Sequence, residues 1–214
     1  MSIPREKIVD AIGKAREAAP ARGFEQSIDL TVNLRDLDMR RPEERVNLRV
    51  YLPKGVADRR VMVFASGDLA LRARRSGANE IIEPPELDEM GKDRKAAKKR
   101  LKDFDVFIAE APLMPTVGRV VGPVLGPKGK MPTPVPPQAP IEDLIEREKR
   151  AVVLRSRDRP LVQCIVGSEG MGDEEIAENV EAVLSNLGRT LRRGMGNIQS
   201  IYLKLTMGPA VRLL

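Results

Sequence analysis

The sequence predicts an α/β protein of two domains, one assembled from both ends of the chain and one inserted between them. Near both ends, apolar and polar residues alternate with a period of two, which is typical of strands with one face in water. In the middle, short continuous apolar runs are typical of strands covered on both faces. The pattern changes at two polar, proline-bearing segments, residues 53–60 and 155–160. A single large α/β domain stays open as the alternative.

The N-terminal part predicts one helix and two strands. Residues 4–18 begin with a proline suited to a first helical turn and place their apolar residues on one face. Residues 27–34 alternate strictly between apolar and polar side chains, and residues 46–52 repeat the pattern. Each strand would therefore have one wet face, and we expect the two to form an antiparallel pair.

The middle of the chain alternates apolar strands with helices, which predicts a parallel layer. The predicted strands are residues 61–65, 81–82, 106–109 and 151–154. The predicted helices are residues 68–75, 86–102, 113–125 and 141–149. Residues 126–140 are rich in proline and glycine, so we expect no regular structure there.

The C-terminal part predicts a strand, a loop, a helix and a last strand. Residues 161–166 are an apolar run, and the helix begins at Asp173, a good N-cap, with Gly188 where a C-cap belongs. Residues 201–205 alternate apolar and polar side chains as a half-buried strand does. The predicted domain boundaries are 1–59 with 156–214 for the first domain, and 60–155 for the inserted domain.

Composition narrows the classes of function. The chain has 214 residues and a net charge of +6, which favours a polyanionic partner. It has no histidine, which removes the commonest general base and the usual zinc sites. We expect the single cysteine, Cys164, to be a buried reduced thiol. Without a long apolar run, a soluble cytoplasmic protein with no cofactor is expected.

Two glycine-rich loops resemble phosphate-binding motifs without their chemistry. In residues 122–134, Met131 stands where a phosphate loop needs serine or threonine, and prolines remove N–H groups that would hold phosphate. In residues 167–172 the glycine spacing is reversed, and the glutamates that follow would repel a pyrophosphate. A nucleotide-dependent enzyme using the inserted domain stays open as the alternative function, without an identifiable site.

A basic run stands out in the inserted part of the chain. Residues 92–102 hold seven basic residues and one acidic residue. A solvated helix face and a direct contact with an RNA backbone are both open interpretations. Lys128 and Lys130, in the glycine-rich loop, could touch an RNA backbone as well.

The ends of two strands carry side chains suited to RNA. Aromatic residues are only 3 % of the chain, so a sheet that stacks bases on aromatic rings is not expected. Thr206, Met207 and Gly208 follow the last strand with a hydroxyl, a flexible apolar side chain and a backbone open to close approach. Phe24 precedes the first strand. Core packing of Phe24, gap filling by Met207 and strand termination at Gly208 remain alternatives.

Several segments, in the right order, resemble one family. They are FEQSIDLTVNL, YLPKG, LGPKGKMPTP, GDEEIAENVEAVL and LTMGPAVRL. Over essentially its full length the chain resembles the universal large-subunit ribosomal proteins of the lateral stalk beside the E site, the ribosomal protein L-one family, in its archaeal form. The resemblance implies a discontinuous α+β domain, a split β-α-β sheet with antiparallel strands. It also implies an inserted Rossmann-like parallel domain and a hinge that opens and closes.

The resemblance implies a non-enzymatic ribosomal protein that is a monomer off the ribosome. Its implied partners are large-subunit rRNA, the E-site tRNA whose release the stalk assists, and the protein's own mRNA, which it represses. The implied RNA-binding residues lie at the two strand ends: Phe24, Ser27, Asp29, Thr206, Met207 and Gly208. The segment Glu25-Gln26-Ser27 departs from the family's commoner acid-then-threonine pattern, although Ser27 keeps the hydroxyl.

Four basic residues join this predicted site on electrostatic grounds. They are Arg155, Arg157 and Arg159, which we expect at the hinge, and Lys204 in the last strand. Phosphate contacts would then set affinity, and the strand ends would set specificity. A general basic nucleic-acid chaperone, indifferent to RNA structure and released by salt, is a third possible function.

Overall fold

The structure, a computed structural model, describes residues 3–56 and 59–214. These residues form two compact units, residues 3–56 with 150–214 and residues 59–149. The mixed α/β fold class is confirmed, with an antiparallel sheet in the first unit and a parallel sheet in the second. Residues 1, 2, 57 and 58 belong to the predicted domain ranges and lie outside the described residues.

The first unit contains a four-stranded antiparallel sheet and two long helices. Its strands are β1 (Ser27–Leu34), β8 (Leu161–Ser168), β9 (Ile198–Leu205) and β10 (Val211–Arg212). Its helices are α1 (Arg5–Ala18) and α8 (Asp173–Thr190). The strand order is β10, β9, β1, β8, so the first strand of the chain lies between two strands from the other end.

The core of the first unit follows from side-chain periodicity. In β1, buried residues alternate with half-buried ones, so one face of the strand points into the core. Helix α1 buries Ile8, Ala11, Ile12 and Ala15, the spacing of a single helical face. Helix α8 buries a similar stripe against the same core. Removing these apolar side chains from water is the main source of stability, about 25 cal/mol for each Å² buried.

A second, two-stranded sheet completes the first unit and corrects two expectations. Strand β2 (Asn47–Tyr51) pairs antiparallel with β7 (Ala151–Arg155). The predicted pairing of β1 with β2 is therefore wrong, because β8 and β9 occupy both edges of β1. The pairing also places residues 151–155 in the first unit, whereas the sequence pattern grouped them with the insertion. The apolar run of β7 therefore identified neither its partner nor its surroundings, since Val153 within it is 41 % exposed.

The second unit is a parallel sheet covered by helices. Its strands are β3 (Val61–Phe64), β4 (Glu80–Ile82), β5 (Val106–Glu110) and β6 (Thr133–Val135), in the order β4, β3, β5, β6. Its helices are α2 (Gly67–Arg75), α3 (Pro84–Lys92), α4 (Arg94–Lys102), α5 (Met114–Val120), α6 (Gly122–Leu125) and α7 (Ile141–Lys149). Its buried apolar residues form two separate clusters, as expected for a sheet with helices on both faces.

Local chemistry explains where elements differ from their predicted bounds. The single helix predicted over residues 86–102 breaks at Asp93, whose carboxylate accepts the backbone N–H of Lys95 at 2.9 Å and begins α4 as an N-cap. The helix predicted over residues 113–125 is divided between α5 and α6. In the proline-rich segment, β6 adds an edge strand, the position in a sheet where proline is tolerated. Helix α8 runs past Gly188 to Thr190.

Candidate nucleic-acid interface

Three chain segments meet at one end of the four-stranded sheet. They are the connection from α1 to β1, the loop after β8, and the residues that follow β9. The backbone N–H of Thr206 donates to the carbonyl oxygen of Ser27 at 3.0 Å, and that of Glu169 donates to the carbonyl of Gln26 at 2.8 Å. We call this region the strand-end surface; its predicted site residues are Phe24, Ser27, Asp29, Lys204, Thr206, Met207 and Gly208.

Two large apolar side chains of the strand-end surface are exposed to water. Phe24 is 54 % exposed and Met207 is 52 % exposed. Core packing of Phe24 and gap filling by Met207, the alternatives left open by the sequence, therefore do not describe these side chains. An exposed aromatic ring and a flexible thioether offer stacking and adaptable contact to a partner with flat faces.

Thr206 is held by the strand beside it and keeps hydrogen-bonding capacity for a partner. Its Oγ1 donates to the carbonyl oxygen of Ser27 at 3.2 Å, the same oxygen that accepts its backbone N–H. The residue is exposed, and its hydroxyl oxygen still has lone pairs to accept from an RNA 2′-hydroxyl or a base amino group.

Gly208 lacks a side chain for a reason within the protein. A Cβ at this position would lie 3.1 Å from the Cβ of Ala19 and 3.4 Å from that of Leu205. Its backbone N–H donates to the carbonyl of Leu205 at 2.9 Å, which closes a turn directly after β9. The sequence interpretation assigned this glycine to close approach by a partner, whereas the close approach in the structure is made by the end of α1.

Gln26 is a site residue that the sequence analysis missed. Its side chain is buried, with 1 % exposed, although it lies between the exposed Glu25 and the half-buried Ser27. Its Nε2 donates to the carbonyl of Pro20 at 3.1 Å, and its Oε1 accepts the backbone N–H of Met207 at 3.0 Å. Extending the alternation of β1 back by two residues from Ile28 places position 26 on the inward face, and this signal would have identified it.

The strand-end surface is rich in carboxylates. Glu25 Oε1 accepts the backbone N–H of Gly170 at 3.1 Å, and Glu169 Oε2 accepts that of Gln26 at 3.1 Å. The hydroxyl of Ser168, followed by the amide of Gly170, lowers the pKa of Glu25. Carboxylates repel phosphate but accept hydrogen bonds from hydroxyl and amino groups. The surface therefore suits sugars and base edges better than the phosphate backbone.

Asp29 lies on the water-facing side of β1 between two neighbouring strands. It faces Lys204 of β9 on one side and the exposed Ile165 of β8 on the other. Partial burial raises the pKa of Asp29, and the positive charge of Lys204 opposes that rise. The carboxyl group is therefore harder to ionise in the folded protein than in the unfolded chain.

Replacing Asp29 with asparagine is expected to stabilise the first unit more at neutral pH than at pH 3. Since the folded pKa exceeds the unfolded value of about 4, the stability of the wild type falls as pH rises through that window. Asparagine carries no charge, so the variant escapes this loss. Urea unfolding from pH 3 to 7, followed by tyrosine fluorescence, measures it, because Tyr51 and Tyr202 both lie in the first unit. A stability difference that stays constant with pH would contradict the expectation.

The three arginines predicted at the hinge lie elsewhere. Strands β1 and β8 are antiparallel, and the backbone N–H of Leu34 donates to the carbonyl of Pro160 at 2.7 Å, beside Arg159. The chain passes from the second unit back to the first at residues 149–150. Arg155 pairs with Asn47 at the opposite end of β7. Since β1 has eight residues, its two ends are about 23 Å apart. The structure therefore separates Arg155, Arg157 and Arg159 from the seven residues of the strand-end surface.

The second unit carries basic groups of two kinds, some paired with carboxylates and others exposed. Arg100 of α4 pairs with Glu80 and Glu86, whereas the other basic residues of α4 are exposed. Lys130 Nζ donates to the carbonyl of Phe104 at 3.0 Å and pairs with Asp105 at 3.2 Å. Within residues 3–56 and 59–214, no group of three potential metal ligands comes together, and no helix is long and apolar enough to cross a membrane.

Comparisons with known proteins identify one family over nearly the whole chain. The family model described as "Ribosomal protein L1p/L10e family" matches residues 15–209. The large ribosomal subunit protein uL1 of Methanothrix thermoacetophila is 46 % identical over 98 % of this chain and 100 % of its own length. That of Methanothermococcus thermolithotrophicus is 47 % identical over 98 % of each chain. That of Pyrococcus horikoshii is 46 % identical over 100 % of this chain and 98 % of its own.

Proposed function

The chain belongs to the ribosomal protein L1p/L10e family, and on that premise we propose that it is a structural, non-enzymatic component of the large ribosomal subunit that binds large-subunit rRNA. The family resemblance seen in the sequence is thereby confirmed. The observation that carries the RNA-binding site is the exposed pair Phe24 and Met207 beside the hydroxyl of Thr206, all on one end of a sheet.

The strand-end surface would act by recognising RNA shape rather than by attracting phosphate. Phe24 would stack on an unstacked base, a contact worth about 1–3 kcal/mol. Met207 would add an adaptable apolar contact beside it. Thr206 and Ser27 would accept from or donate to 2′-hydroxyls, which distinguish RNA from DNA. Asp29 would accept from a hydroxyl or an amino group. Lys204, opposite Asp29, would keep the local charge from excluding RNA altogether.

Two further RNA partners follow from the same premise. We propose that the protein assists the departure of deacylated tRNA from the E site, and that it represses its own mRNA through an RNA site that mimics the ribosomal one. One surface would serve both the ribosomal and messenger sites, because it reads an RNA shape.

We also propose that the two compact units act as domains joined by a hinge. Off the ribosome the protein would be a monomer, and its location would be the cytoplasm, on the ribosome.

Truncating the strand-end surface is expected to weaken specific RNA binding. The variant Thr206→Val with Met207→Ala should lose about 2 kcal/mol, roughly thirtyfold, on the folded lateral-stalk segment of large-subunit rRNA, because one hydroxyl contact and one apolar contact disappear. A scrambled RNA duplex should bind the variant and the wild type equally. The salt dependence should be unaltered, since no phosphate contact is removed. Filter binding or fluorescence anisotropy across a salt series provides the measurement.

A matched control separates this contact from general effects of substitution. Thr116 is half-buried in α5 and Met131 is exposed, and both lie in the second unit. The variant Thr116→Val with Met131→Ala should bind the stalk RNA as the wild type does. Equal loss in both variants, or equal binding of stalk and scrambled RNA by the wild type, would refute the assigned site.

A further inference from the structure

Three segments meet at the end of the four-stranded sheet opposite the strand-end surface. They are residues 35–46, 155–160 and 189–197, and we call this region the arginine end. The backbone N–H of Ser156 donates to the carbonyl of Val46 at 2.9 Å. The backbone N–H of Arg35 donates to the carbonyl of Asn197 at 2.8 Å. The arginine end belongs to the same compact unit as the strand-end surface, about 23 Å along β1.

All the basic residues of the arginine end are arginines. Its three segments contain ten arginines, no lysine and five acidic residues. The guanidinium group presents a planar fork of N–H donors that matches two phosphate oxygens, whereas a lysine ammonium is a point charge. A surface selected only for solubility would have no reason to avoid lysine. The composition therefore indicates recognition of an anion with phosphate geometry.

A buried asparagine fixes the backbone on which several of these arginines stand. Asn197 is 1 % exposed, and its Nδ2 donates to the carbonyl of Arg35 at 3.0 Å while its Oδ1 accepts the backbone N–H of Arg193 at 2.8 Å. Asp36, the residue after Arg35, has φ +58°, an uncommon conformation for a residue with a side chain. Arg193 Nη1 donates to the Asp36 carboxylate at 2.8 Å. The loop is thus held in one arrangement before any partner arrives.

Two acidic residues of the arginine end, Glu44 and Asp36, pair with three of its arginines. The other arginines are therefore not neutralised by these carboxylates. Glu44 lies 3.6 Å from both Arg41 and Arg192, and Asp36 pairs with Arg193. Six exposed arginines of the arginine end have no carboxylate partner among the residues that the structure describes: Arg35, Arg40, Arg45, Arg155, Arg159 and Arg189. Arg35 does hold the carbonyl of Gly196 through its Nε at 2.9 Å, which orients the rest of its guanidinium.

We propose that the arginine end binds the phosphate backbone of the RNA whose bases and sugars contact the strand-end surface. This inference rests on the proposed function. The carboxylates of the strand-end surface cannot supply the electrostatic part of RNA affinity, so a second contact is needed to provide it. A protein partner is disfavoured, because none of the described residues in the three segments is a large exposed apolar side chain, the usual anchor of a protein interface.

The distance between the two surfaces sets the length of RNA that can reach both. One strand of a duplex carries a phosphate about every 3.4 Å along its axis. The separation of about 23 Å therefore corresponds to roughly seven phosphates of one strand. A single continuous RNA segment can thus contact both ends of the sheet.

Neutralising the arginine end is expected to change the salt dependence of binding. The variant Arg35→Gln, Arg40→Gln, Arg155→Gln and Arg159→Gln should reduce the slope of log affinity against log salt by about three on the lateral-stalk RNA. At ~0.15 M salt its affinity should fall about 100-fold, because binding with fewer phosphate contacts releases fewer counterions. The ratio of stalk to scrambled-duplex affinity should stay nearly constant, since phosphate contacts carry no sequence information.

A variant with the same loss of charge in the second unit is the matched control. Arg74→Gln, Arg75→Gln, Arg119→Gln and Arg147→Gln remove four exposed positive charges from α2, α5 and α7, outside the basic run of residues 92–102. This control should change the slope by less than about one. An equal effect of both variants would show a general effect of net charge and overturn the proposal. An unchanged slope in the arginine variant, with its thermal unfolding unaltered, would overturn it as well.

The proposed function and the proposed arginine contact are tested by different measurements. Thr206→Val with Met207→Ala changes the ratio of stalk to scrambled RNA at constant salt slope, whereas the arginine variant changes the slope at constant ratio. Failure of the first result alone removes the strand-end site and leaves the arginine contact standing. Failure of the second alone removes the arginine contact. If the arginine variant loses binding to vesicles of anionic phospholipid and keeps its RNA affinity, the partner is a membrane surface and the proposal is wrong.

Discussion

Replacing Asn179 with leucine is expected to lower the free energy of unfolding of the first unit by about 4 kcal/mol. Asn179 is fully buried in α8, and its Nδ2 donates to the carbonyls of Gly55 and Val166, each at 2.8 Å. Its Oδ1 accepts the backbone N–H of Lys54 at 3.1 Å. Leucine keeps the volume but leaves three backbone polar groups without partners, each costing about 1–3 kcal/mol.

The measurement is urea unfolding followed by tyrosine fluorescence, which reports on the first unit. Asn186 provides the matched control on the same helix, because its Nδ2 donates only to the carbonyl of Ala182 one turn earlier, at 2.8 Å. Asn186→Leu should cost less than about 1 kcal/mol, since that carbonyl remains within the helical ladder. Similar losses in both variants would mean that Asn179 does not fasten the segment that leads out of the first unit.

Replacing Gln26 with methionine is expected to lower stalk-RNA affinity by about 3 kcal/mol, more than truncating Thr206 and Met207 themselves. The substitution keeps length and volume but removes the hydrogen bonds to the carbonyl of Pro20 and to the N–H of Met207. The connection that carries Phe24 and the turn that carries Met207 would then shift relative to each other. Each displaced base contact is worth about 1–3 kcal/mol.

The same variant should also cost about 2 kcal/mol of stability, because two backbone groups lose their partner. Affinity is therefore measured at a temperature where the variant is fully folded, and the free energy of unfolding is measured separately. Gln199→Met, an exposed glutamine on β9, is the control and should change neither quantity appreciably. Wild-type RNA affinity in a folded Gln26→Met protein would show that Gln26 does not position the strand-end surface.

The elements of the fold could largely be predicted, because burial follows local periodicity. The alternation of β1 and the apolar stripes of α1 and α8 are properties of short windows, and the structure agrees with them. Strand pairing is not a local property. The partners of β1 lie at residues 161–168 and 198–205, far along the chain, so alternation alone suggested the nearer β2. The break at Asp93 was missed because a strong helical pattern continues on both sides of its cap.

The candidate site was predictable where it coincides with strand ends. Phe24 and Met207 are far apart in sequence, and the pairing of β1 with β9 brings their segments together. Gln26 was missed because a buried polar side chain between polar neighbours has no compositional signal. Arg155 is close in sequence to residues 149–150, where the chain passes between the two units, but β7 places it a strand's length away. At Gly208 the atom nearest to an added Cβ is the Cβ of Ala19, a contact between distant segments that the sequence did not indicate.

The order of strands in the antiparallel sheet has a consequence for how the protein is made. Strand β1 is synthesised first, and its two neighbours, β8 and β9, are synthesised much later, after the whole second unit. At about 5–20 residues per second, β1 waits on the order of ten seconds for β8 and longer for β9. The second unit, continuous in sequence, can fold during that interval. The proposed RNA surfaces need β8 and β9, so an unfinished chain has neither of them. In the proposed repression of its own mRNA, only completed protein chains could therefore bind the message and repress it.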